Sequence, residues 1–94
     1  MADELDLRDL RYFEAIAEAG HVGRAARAQH RSQPAMTGAI RRLESSLGTP
    51  LFERAGRGIR ITAAGEALHA RARMLRISAA KAVLEVADVG SGRA

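Results

Sequence analysis

Read for its apolar positions, the chain divides into helical stretches separated by short breaks. Leu7, Leu10, Phe13, Ile16 and Ala17 fall on one stripe of a first helix, with Asp6 as its cap and Gly20 where a helix stops, so the stripe is expected to be core. A short second helix is implied from about Arg24, in RAARAQHR, where Ala25 and Ala26 let another helix approach closely. Ser32 then caps a third helix over 33–47, and Pro34 is harmless there because the first turn's amide hydrogens have no intrahelical partner. Met36, Ile40, Leu43 and Leu47 make its core stripe, and Gly48 followed by Pro50 ends it. Its opposite side carries Pro34, Thr37, Gly38 and Arg41, with Gln33 projecting from the first turn.

Residues 51–62, LFERAGRGIRIT, alternate weakly around a glycine-rich centre and predict a two-stranded hairpin with Arg57 at its tip and Arg54 and Arg60 on its arms. Thr62 is a further cap, and from Ala63 there is no proline and only Gly65 before Gly90. Leu68, Ala72, Leu75, Ala79, Ala82, Val86 and Val89 are spaced alternately four and three, a heptad seam on a helix of about 26 residues, roughly 39 Å long. Such a helix outreaches the small domain before it and is expected to pair with a copy of itself. The division is thus 1–62, 63–90 and a flexible tail at 91–94.

Composition narrows the function. The 94 residues allow one small domain, and with no cysteine there is no disulfide, thiolate metal site or thiol nucleophile. The acidic start MADELDLRDL reads as neither a secretion signal nor a membrane span, so a cytoplasmic chain is expected. The net charge is +4, but it is unevenly spread: residues 21–62 hold eight arginines against two acids, while residues 1–20 hold two arginines against six. A genome favouring arginine codons explains part of the composition; it does not explain the clustering. His21, His30 and His69 are too dispersed for a metal set and read as surface or turn positions, and the acids near the start read as a solvated face. No nucleophile elbow or phosphate-binding glycine loop is present, so no enzyme, catalytic residue, metal or cofactor is expected.

Two short helices joined by a tight turn, a basic hairpin and a long helix make a mainly α winged helix-turn-helix. In that arrangement the helix beginning at Ser32 would enter the major groove of DNA. Gln33 suits a bidentate contact to adenine, Thr37 can donate or accept, and the Pro34 ring and Thr37 methyl suit a thymine methyl. Arg41, one turn on, is expected at phosphate, and Arg57 at an adjacent minor groove. Arg54 and Arg60 are further candidates for DNA contact; Arg41, Arg54, Arg57 and Arg60 are weighed against a solvated basic face, Arg54 also against bracing the wing, and Gln33 and Thr37 against a solvated helix start. An alternative is a helical protein-interaction module using the 68–89 seam; a role in RNA binding is opposed by one Tyr, two Phe and no Trp.

The order LRDLRYFEAIAEAG, RAARAQHRSQPAMTGAIRRLE, LGTPLFER, ITAAGEAL resembles the amino-terminal DNA-binding domain of LysR-type transcriptional regulators, from about Leu5 to Leu68. The resemblance implies a bacterial regulator that binds an inverted-repeat operator as a dimer or tetramer. It implies base contacts by Gln33, Pro34 and Thr37, a wing arginine at Arg57, and a dimerisation helix at 63–89. It also implies a small-molecule effector acting through a further domain, so the chain is expected to be a piece of a longer protein. Four departures stand out. His21, Val22 and Gly23 replace the usual Ser-Phe-Thr and remove a hydroxyl cap; Gln29 replaces a leucine and is expected to leave a polar group in the core; Arg31 replaces an apolar residue; and Gly38 weakens readout at its step.

Overall fold

The computed structural model describes residues 4–93, so Met1, Ala2 and Asp3 of the first expected domain and Ala94 of the tail lie outside the described residues. Six elements follow one another: α1 (Leu7–Ala19), α2 (Val22–Ala28), α3 (Gln33–Leu47), β1 (Phe52–Ala55), β2 (Gly58–Ile61) and α4 (Ala63–Gly90). The caps are those the residue types favour. The Asp6 carboxylate accepts from the amides of Arg8 and Asp9 at 2.8 and 3.3 Å, and the Ser32 hydroxyl accepts from Ala35 N at 3.2 Å. Gly20 and Gly48 close α1 and α3 in the left-handed conformation that a side chain would strain.

The second helix starts earlier and ends earlier than the 24–31 expected. It runs from Val22 because the His21 imidazole does what a hydroxyl would, its Nδ1 accepting from Arg24 N at 3.1 Å. It ends at Ala28 because Gln29 caps it and His30 turns left-handed, with φ of 54°. Gln29 is half-buried at this cap and leaves no buried polar atom without a partner among the described residues.

The strands pair antiparallel, with Phe52 opposite Ile61 and Arg54 opposite Ile59, around a Gly56-Arg57 turn in which Gly56 has φ of 59°. Leu10, Phe13, Ile16, Met36, Leu43 and Leu51 are fully buried where α1, α3 and the wing root meet. Leu7 and Leu47, expected in this core, are 44% and 37% exposed, Leu7 as the first residue of α1 and Leu47 as the last of α3. Ala17 is half-buried.

Helix α4 begins inside this core. The Thr62 hydroxyl donates to the Pro50 carbonyl at 2.8 Å and accepts from Gly65 N at 3.0 Å. Gly65 then lies against the chain at Leu51, where a Cβ would come within 2.3 Å of the Leu51 carbonyl oxygen. His69 packs edge-on to Phe13, so it is an internal contact as well as a helix position.

The acids of α1 are not all solvated. Asp9 and Glu14 are 2% and 5% exposed. Asp9 accepts from Arg42 Nε and Nη2 at 3.0 and 2.9 Å, and Glu14 accepts from Arg76, so the first acid ties α1 to α3 and the second ties α1 to α4. Hydrogen bonding to the acid is the main cause that lifts each guanidinium above its ordinary range. The arginines' share of stability is therefore present through neutral pH. On the alkaline side it is lost only as pH rises through that raised pKa.

Candidate nucleic-acid interface

The geometry of α3 follows from its two stripes. Met36, Ala39, Ile40 and Leu43 are buried, which turns Pro34 and Arg41 outward and leaves Thr37 and Gly38 half-buried at the margins. Ser32, Gln33, Pro34 and Ala35 at its start are all exposed. A helix that buried polar groups here would have to satisfy them; this one leaves them in solvent.

Gln33 lies over Gly23, a departure from the family pattern whose bearing on α3 shows only in the structure. A Cβ at Gly23 would lie 3.0 Å from the Gln33 amide nitrogen and 2.9 Å from the His21 ring, so the glycine makes the room in which both side chains sit. The available signal was a glycine inside the first turn of a short helix, a costly choice unless something needs the space.

The wing lies on one flank of α3. Thr37, Arg41 and Arg54 line a single groove of about 340 Å³ together with Val22 and Ile59. Glu44 fixes this placement, its carboxylate accepting from Leu51 N at 2.7 Å where the chain enters the wing. Arg57 stands exposed at the tip. Arg60 is different: Nε and Nη2 both donate to Glu53 Oε1 across the strands, at 3.0 and 2.8 Å, so its charge is locally balanced. Among the described residues Arg41, Arg54 and Arg57 make no ion pair. The structure thus brings Thr37, Arg41 and Arg54 together, sets Arg57 at the reach of the hairpin, and spends Arg60 on a cross-strand pair.

The expected seam divides in two. Ala72 is fully buried in the chain's own core and Leu68 packs against it, so these two positions face inward rather than toward a partner. Leu75 is 43% and Val86 69% exposed, Ala79 is half-buried and Ala82 exposed. Val83 and Leu84, off the expected seam, are equally bare. Among the described residues no helix is long and apolar enough to cross a membrane.

A three-helix head in which the third helix presents its polar start beside a basic two-stranded wing is a winged helix-turn-helix. Residues 7–66 match the family described as "Bacterial regulatory helix-turn-helix protein, lysR family", and the chain belongs to that family. It is 51% identical over 71 residues to the HTH-type transcriptional regulator ClcR of Pseudomonas putida, covering 76% of this chain and 24% of ClcR. The solved structure described as the CbnR_DBD–DNA complex is similar to it with a TM-score of 0.85 and 40% identity, over 92% of this chain and 99% of that one. The BenM_DBD/catB site 1 DNA complex is similar with a TM-score of 0.84 and 31% identity, over 96% and 97%. The chain spans about a quarter of the length of ClcR.

Proposed function

We propose that this chain is the sequence-specific DNA-binding part of a bacterial LysR-type transcriptional regulator and acts by binding rather than catalysis. It works in the cytoplasm, where the chromosome lies. The winged head at 1–62 reads one half of an inverted-repeat operator, and the linker helix at 63–90 joins two copies, with 91–94 as a tail. In the major groove Gln33, Pro34 and Thr37 meet base edges, while Ser32 and Arg41 lie against the backbone; Arg57 enters the flanking minor groove, and Arg54 meets phosphate. Arg60 braces the wing through Glu53. The dimer contact lies along Leu75, Ala79, Ala82 and Val86. An effector would act through a domain outside this chain.

The observation that carries the reading is the exposed polar start of α3 set between the helix-turn-helix and a basic wing, in a chain whose relatives include two proteins solved in DNA complexes. The test is selection from a pool of genomic fragments at two salt concentrations, followed by sequencing of what stays bound. An enriched inverted repeat whose retention falls steeply with salt is the expected result. No retention at low salt overturns the reading and leaves the bare far end of α4 as a protein-docking helix. On the selected site, Gln33→Ala costs about 1–3 kcal/mol and little on random duplex. Equal losses on both would remove Gln33 from base readout.

A further inference from the structure

Helix α3 has a second groove, on the flank away from the wing. Arg8, Tyr12, Arg31, Pro34, Gly38 and Arg42 line it, and its volume is about 240 Å³. Three guanidinium groups border it and no carboxylate does. Asp9, which pairs with Arg42, has its side chain only 3% exposed and both oxygens engaged, and the other acid acting on Arg42 is Asp6, whose carboxylate caps α1 outside the groove.

Two of the three arginines are already ordered. Asp9 grips Arg42 through Nε and Nη2, which leaves Nη1 beside Gly38, 3.5 Å from where a Cβ there would stand. The Arg31 guanidinium stacks on the Tyr12 ring, 5.9 Å from its centroid. Gly38 itself is not demanded by packing, since its Cβ would make only an ordinary contact, and glycine inside a helix costs about 1 kcal/mol relative to alanine. What the glycine leaves is bare helix between Pro34 and Arg42, with room for a sugar-phosphate strand.

The major groove of B-DNA is about 12 Å wide and bordered by a phosphate strand on either side, so a helix lodged in it meets negative charge on both flanks. The wing side of α3 is supplied by Arg41 and Arg54. We infer that Arg8, Arg31 and Arg42 form a phosphate clamp on the other flank, taking the backbone of the same duplex. The inference rests on the DNA-binding reading of α3 and adds three residues that this reading does not use. Because Arg31 and Arg42 are held before DNA arrives, the clamp loses little side-chain freedom on binding.

The test is titration of a random-sequence duplex over a salt series with the wild-type chain, the Arg8→Gln/Arg31→Gln variant and the Arg31→Lys variant, each checked for folding by circular dichroism. With about 0.9 of salt slope per neutralised phosphate, the double variant should flatten the log–log slope by about 1.8 and weaken random and selected duplex by the same factor. Arg31→Lys should keep the slope. The pair Asp9→Asn/Arg42→Gln, which removes the arginine without stranding a buried acid, should flatten it by about 0.9. A folded double variant with the wild-type slope overturns the clamp and leaves the DNA reading standing. Failure of the wild-type chain to bind either duplex overturns both.

Discussion

The two ends of α4 carry the same heptad spacing and meet different surroundings. At the near end Gly65 lies on the Leu51 carbonyl, Leu68 and Ala72 close the core, and Arg76 grips the buried Glu14. At the far end Val83, Leu84, Val86 and Val89 are 68%, 67%, 69% and 62% exposed, left bare by the described residues. Periodicity therefore reports that a stripe exists and not what lies across from it. The first turns answer to the chain's own core; the later ones are free to answer to a second copy.

The contrast is broken most strongly from the head. Phe13 is fully buried and touches Phe52 and His69, so Phe13→Ala should cost about 3–5 kcal/mol in denaturant unfolding, at every protein concentration. A loss under 1 kcal/mol would mean the core at the root of α4 is not the one described. Gly65→Ala comes next, at about 3 kcal/mol, because a Cβ there meets backbone oxygen and α4 must shift to admit it. Arg76→Met leaves Glu14 without its partner and should cost about 1–3 kcal/mol. If the melting curve is unmoved by that change, the ion pair does not tie α4 to the head.

Much of this head is legible in the residues. Asp6, Gly20, Ser32 and Gly48 mark the bounds of α1 and α3 because each type has a local reason to stand there, and the glycine-rich centre of 51–62 marks the hairpin. Local signals fail where the cause is distant. Asp9 and Arg42 are 33 positions apart and Glu14 and Arg76 are 62 apart, so nothing near the acids says they are buried. The start of α2 is missed for a different reason: an imidazole caps it, and histidine is not the residue type that signals a cap. At the candidate interface, the outward residues of α3 follow from its period. Arg60, in contrast, is taken up by Glu53 on the facing strand, and Gly23 earns its place only through the Gln33 and His21 side chains.

The smallest effect on the folded monomer should come from the far end, and it separates the two halves of α4 most sharply. Leu75 is 43% exposed, so a lysine there keeps its charge in water and should change the stability of an isolated chain by under about 0.5 kcal/mol. If two copies pair along this stripe, however, Leu75→Lys places like charges at the contact. Sedimentation should then give a monomer where the unaltered chain gives a dimer, and the wild-type rise of melting temperature with protein concentration should vanish. Binding to an inverted repeat should fall much further than binding to a single half-site, because only the former needs both heads held together. A variant that stays dimeric would move the contact off this stripe, and Val83 and Leu84, equally bare on a neighbouring face, would be the next positions to charge.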